Sequence, residues 1–166
     1  MDQPAEPSGP VLVGVCPGQP LPVVQEAARL AAALDRPLLC AYVTADSYLT
    51  EWDRAALRDD ASLHPGPLDE EDGQHALHLA RAIDEVAAGA GAAWTLRVLG
   101  GDPPHALMRL ADEADARLVV VGTRRRGPGH AVESWLAGSV GTRIAHDQTR
   151  PVVVVPVLGY RGPTLT

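Results

Sequence analysis

VVVGTRRRGPGH, residues 119–130, decides how this chain folds. A run of β-branched apolar residues stops at Gly122, three arginines follow without a break, and then come Gly127, Pro128 and Gly129. A short continuous apolar run bounded by turn residues reads as a strand buried on both faces, and such strands belong to parallel sheets. The loop after it has two readings. Glycines let backbone N–H groups approach a phosphate, and arginines add charge-assisted hydrogen bonds, so the loop suits an anion. Arginines after a strand are also often plain solvated surface. All 14 basic residues of the chain are Arg, which lowers the weight each carries as a functional signal.

The residues on either side repeat the pattern. Residues 117–121 are the strand itself, preceded by a helix that GDPP opens and that carries Leu107, Leu110, Ala111 and Ala114 at helical spacing. Further back, 93–99 (AWTLRVL) is a strand and 74–88 an amphipathic helix with Leu79, Ile83 and Val86 on one face. Residues 38–43 (LLCAYV) and 11–15 (VLVGV) are strands, and between them runs a helix with Pro22 in its first turn and Val24, Ala27, Ala28, Ala31 and Leu34 in apolar register. Residues 46–72, acidic and broken by HPGPL, read as a loop with some helix around 51–58. On the other side of the opening stretch, 132–136 and 139–146 read as short helices and 151–155 as the last strand.

Strands and helices therefore alternate, which predicts an α/β fold: a doubly wound, five-stranded parallel sheet with helices on both faces. In the common order 3-2-1-4-5 the first and fourth strands are neighbours and the winding reverses between them, so a ligand site is expected at their carboxyl ends. The loops there are CPGQP after the first strand and GTRRRGPG after the fourth. Beyond the second loop, Gly138 and Ser139 precede a helical run and offer free N–H groups and a hydroxyl, although the pair is a good helix start whatever it binds.

Composition excludes several classes. At 166 residues the chain is most simply one domain, long enough to bury a core. A formal net charge of -7 argues against nucleic acid or an anionic membrane as the main partner. The apolar runs are too short to cross a bilayer, and MDQPAEPSGP has no apolar signal core. Residues 1–10 are expected as a disordered lead-in, 11–157 as the domain, 158–166 as a flexible tail, and the protein as cytoplasmic. Cys16 and Cys40 make no disulfide framework. His75 and His78 lie on one helical face without a third metal ligand, so no metal is expected. The chain lacks G-x4-G-K-[ST], the glycine spacing of a dinucleotide fold, and any legible Ser-His-Asp or Cys-His set, so no catalytic residue is assigned.

VLVGV near the beginning, GDPPHALMRLADEADARLVVVGT in the middle, and GS followed by RPVVVVP near the end together resemble the universal stress protein family, over nearly the whole of 11–157. The resemblance implies the same Rossmann-like sheet. It further implies a nucleotide site like that of ATP-binding members, which carry G-x2-G-x9-G-[ST] after the fourth strand and an aspartate at the end of the first. Here Gly122 begins the motif and Gly138 and Ser139 end it, but Arg125 stands at its second glycine, the loop is longer, and Cys16 stands in place of the aspartate. The candidate nucleotide-binding residues are Val15, Cys16, Pro17, Val43, Val121, Gly122, Thr123, Arg124, Arg125, Arg126, Gly127, Gly129, Gly138, Ser139 and Val140. The ligand the resemblance implies is ATP or AMP; the residues by themselves assign no certain cofactor.

The last strand would lie at the sheet edge, where a flat apolar strand invites pairing. Val152, Val153, Val154 and Val155 are therefore expected to join two copies about a two-fold axis, and the resemblance implies the same homodimer. The reading that results is a cytoplasmic, homodimeric, non-enzymatic stress-response protein that takes an adenine nucleotide in the crevice. The alternative is a dimeric interaction module of the same family that binds no nucleotide.

Overall fold

The first strand, β1 (Val11–Val15), is buried along its whole length, as five apolar or glycine residues in a row require of a strand covered on both faces. The computed structural model describes residues 8–44, 52–53, 70–123, 150–157 and 159–165. After β1 come α1 (Leu21–Ala33), β2 (Leu38–Thr44), β3 (Trp52–Asp53), α2 (Glu70–Ala90), β4 (Trp94–Gly100), α3 (Pro103–Glu113), β5 (Leu118–Gly122) and β6 (Val152–Val155). The sheet order is β3-β4-β2-β1-β5-β6. Its five long strands are all parallel and stand in the expected order, with the winding reversing between β1 and β5.

Alternation along the strands divides the core in two. One set of side chains, among them Val11, Val13, Leu38, Cys40, Leu96 and Val120, packs with the buried faces of α1 and α2. The other set, among them Leu12, Leu39, Ala41, Val119 and Val121, packs with Leu107, Leu110 and Ala111 of α3. The helices on the first face follow connections that move one way from β1, and α3 follows the connection that returns, as right-handed crossovers dictate. Trp94 Nε1 donates to Asp84 Oδ1 at 2.9 Å and ties α2 to β4.

Several boundaries differ from the sequence reading. Trp52 and Asp53, expected in a helix around 51–58, are extended and pair antiparallel with Val98 and Arg97. The open edge of β4 offers unpaired main-chain groups, and pairing there overrides a weak local helical preference. The rest of 46–69 lies outside the described residues. Helix α2 begins at Glu70 rather than at residue 74, with Glu70 and Glu71 in its first turn. Acidic side chains at that end are favoured by the helix dipole. The helices expected at 132–136 and 139–146 lie outside the described residues.

Residues 8–10 of the expected lead-in and 159–165 of the expected tail make main-chain bonds. Residues 8–10 are held to the amino edge of the sheet: Gly9 N–H donates to the Asp115 carbonyl at 3.1 Å, and Arg117 N–H to the Pro10 carbonyl at 2.8 Å. At the other end, 159–165 docks beside the loop after β1, with Leu165 fully buried and Thr164 bridged to Pro20. Each of these stretches finds main-chain partners at an end of the sheet.

Arg150 locks the amino edge. Its Nη1 donates to the Asp115 carboxylate at 3.1 Å and to the Ala116 carbonyl at 2.7 Å. The Arg150 guanidinium, helped by the Ser8 N–H, holds the Asp115 carboxyl below the usual carboxylate range.

Candidate functional site

Because all long strands are parallel, their carboxyl ends gather on one edge, and the switch point falls between β1 and β5. The ladder from β1 to β2 runs through Val15 and Tyr42, whereas that from β1 to β5 ends at Val13 and Val120. Past that pair the two strands part. One residue on, the carbonyl of Gly14 is taken by the Gln19 side chain, whose Nε2 donates to it at 3.0 Å.

Of the sequence-derived site residues, Val15, Cys16, Pro17, Val43, Val121, Gly122 and Thr123 are brought to this edge by β1, β2 and β5. Val15, Val43 and Val121 are buried there, Val15 on the α1 face of the sheet and Val43 and Val121 on the α3 face. Cys16 is partly exposed and Pro17 is exposed. Burial of the Cys16 thiol pushes its pKa up to about 11, so it is a neutral thiol at pH 7 and not a substitute for an anionic carboxylate. Arg124, Arg125, Arg126, Gly127, Gly129, Gly138, Ser139 and Val140 lie outside the described residues.

Gly122 and Thr123 have structural duties that spacing alone does not disclose. A Cβ at Gly122 would sit 2.8 Å from Cγ2 of Val23, so the glycine lets β5 approach α1. Thr123 extends the β5–β6 ladder: its N–H donates to the Val155 carbonyl at 2.9 Å, and its Oγ1 accepts from the Val157 N–H at 2.8 Å. Among the described residues nothing accepts the hydroxyl proton of Thr123.

Two polar residues at this edge were not singled out by the sequence. Gln19 and Thr44 are only 6% and 5% exposed, and among the described residues Gln19 Oε1 and Thr44 Oγ1 have no hydrogen-bond partner. A buried oxygen without a partner is uncommon enough to mark a position. Nothing in CPGQP signals that its glutamine folds inward; Thr44 carries a weak sign, as a polar residue closing an otherwise apolar strand. Among the described residues no group of His, Cys, Asp or Glu is arranged to hold a metal ion. No described helix is long and apolar enough to cross a membrane.

The edge strand β6 pairs with β5 from Val119↔Val152 to Gly122↔Val155. Val152 and Val153 are half-buried, Val155 is buried, and Val154 is 51% exposed.

The chain was compared with known proteins. The family model described as the universal stress protein family matches residues 8–156. No curated protein matches the chain. Among solved structures, a universal stress protein from Archaeoglobus fulgidus in complex with dAMP is similar at 20% identity and TM-score 0.61, over 90% of this chain and 98% of that one. A universal stress protein in complex with cAMP is similar at 25% identity and TM-score 0.54, over 90% and 98%. A family protein from Arabidopsis thaliana with AMP bound is similar at 13% identity and TM-score 0.53, over 93% and 97%. The match over nearly the whole of the expected domain, on a sheet wound in the expected order, places this chain in the universal stress protein family.

Proposed function

We propose that this protein binds an adenine nucleotide at the carboxyl edge of the sheet, between the loops after β1 and β5, and acts as a non-enzymatic, cytoplasmic stress-response module. The observation that carries the reading is the parting of β1 from β5 beyond Val13 and Val120, at the carboxyl edge where the winding reverses. A crevice at such a switch point is where open parallel sheets take their ligands. The Gly122-to-Gly129 loop supplies glycine and arginine for phosphates. Similar proteins hold dAMP, cAMP and AMP, which supports the adenine nucleotide class. On this reading the ligand is a signal rather than a substrate.

Calorimetric titration with ATP, AMP and cAMP tests the reading. Saturable heat that is lost when Arg124, Arg125 and Arg126 are all changed to Ala is the expected result. An absence of heat with all of them at millimolar concentration rejects it. A second reading, a dimeric module without a nucleotide, is favoured by the neutral Cys16 thiol where the family uses aspartate and by the packing duty of Gly122. Both readings carry the homodimer, through antiparallel pairing of β6 with its copy. The half-exposed Val154 on an edge strand supports that arrangement.

A further inference from the structure

Segment 159–165 (GYRGPTL) lies on the loop that forms the β1 wall of the crevice. Gly18 N–H donates to the Leu165 carbonyl at 2.7 Å, and Leu165 N–H donates to the Gln19 carbonyl at 2.8 Å. Leu21 N–H donates to the Pro163 carbonyl at 3.2 Å. Helix α1 has no side-chain N-cap, so Pro163 supplies from outside the helix an acceptor that a capping side chain would otherwise provide. Leu165 is fully buried in the α1 face of the core, and Tyr160 packs against the same cluster.

The attachment is narrow. Gly159, Arg161, Gly162 and Pro163 are all exposed, so one leucine, one half-buried tyrosine and a few main-chain bonds hold the segment. All of those main-chain bonds end on Gly18, Gln19 and Leu21. Gln19, whose carbonyl Leu165 engages, also keeps its Oε1 buried with no partner among the described residues. Opening would free the Gly18 and Leu21 N–H groups, on the loop that follows β1 and at the start of α1, to donate to a ligand. Elements that move for ligands are drawn from such weakly held contacts.

We propose that segment 159–165 is a releasable latch on the loop after β1, and that its closure and nucleotide binding in the crevice oppose each other. The proposal rests on the nucleotide reading above. If the ligand prefers the open form, its apparent affinity is reduced by the fraction of molecules that are open, and the ligand in turn favours release.

The test uses the full chain in two opposite states. Leu165→Asp, with Leu165→Ala as the milder variant should the first not fold, removes the anchor. A pair of substitutions, Pro20→Cys with Thr164→Cys, locks the bridge when oxidised, the pairing being verified by peptide mapping. Calorimetry with AMP is expected to give a Kd at least fivefold lower for the released protein than for the unmodified chain. The oxidised lock is expected to raise Kd at least fivefold and to return to the original value on reduction. Equal Kd in locked and released protein, or weaker binding after release, overturns the latch. If no form binds AMP at millimolar concentration, the nucleotide reading fails and opposition to the nucleotide fails with it. Hydrogen exchange then decides whether the segment opens at all. Gly18 and Leu21 amides exchanging at least tenfold faster than those of Val13 and Val120 in the unmodified chain keep the latch; equal protection removes it.

Discussion

At Gly122 a substitution of one methyl group separates packing from ligand chemistry. The alanine Cβ meets Cγ2 of Val23 at 2.8 Å, and overpacking of this kind costs about 1–3 kcal/mol. Urea denaturation of Gly122→Ala is expected to show a lower midpoint, and adding Val23→Ala to recover part of the loss. A ligand role alone predicts no such recovery. Cys16 is a second position with a measurable signature. Its pKa is raised to about 11 by burial, against about 8.5 for a free thiol. Above the free value the unfolded chain has given up a proton that the folded chain keeps. The stabilisation from Cys16 is therefore complete below about pH 8.5 and is lost as pH rises toward the folded value. Alkylation of Cys16 by iodoacetamide at pH 8 is expected to be at least about tenfold slower in the folded protein than in urea, as judged by intact mass, since the thiolate is the nucleophile. Equal rates would mean that the loop after β1 does not shield the sulfur.

The helices end on residues that carry different loads. Asp35 and Asp115 both follow a helix in the left-handed region, at φ 53° and 47°. Each is followed by a closing bond from the next residue, Arg36 N–H to the Ala31 carbonyl and Ala116 N–H to the Ala111 carbonyl, both 2.9 Å. Glycine adopts that conformation without the Cβ penalty, so Asp35→Gly is expected to gain up to about 1 kcal/mol in chemical denaturation. The same change at Asp115 is expected to lose stability instead, because its carboxylate accepts from Arg150 and Ser8. If the two substitutions have the same sign, the tether across the amino edge is not what holds Asp115. Elements of this length were legible as apolar runs: VLVGV, LLCAYV and the run ending at Gly122 could only be buried strands. The two residues of β3 were not, since their conformation is dictated by the edge of β4 and by nothing local. Gln19 escaped for the same reason: its amide matters only where β1 and β5 part, and that place exists only in the assembled sheet.

Across the whole molecule, the candidate site and the Arg150 tether lie on opposite edges of the sheet. The carboxyl edge holds the candidate site, and the amino edge holds the Arg150 lock with residues 8–10. The order of the parallel strands was readable from the alternation of elements, and with it the edge on which a site must lie. The chemistry of the site was only partly readable, because burial sets the state of Cys16 and contact with Val23 explains Gly122. The β6 edge offers a test at this scale. Val154→Arg places a charge on the exposed position of that strand, so light scattering at micromolar concentration is expected to give the monomer mass where the unmodified chain gives twice that mass. A monomer mass for both would remove β6 as a dimer surface.

The approach of β5 to α1 has a consequence for how such a chain can diverge. Residues 23 and 122 share a fixed volume, so neither can drift independently of the other. A descendant that gains a side chain at 122 must first shed one at 23, and until it does so the intermediate is the less stable protein. Gly122 is thus held by its packing against α1, and it would persist in a lineage that bound no ligand at that edge.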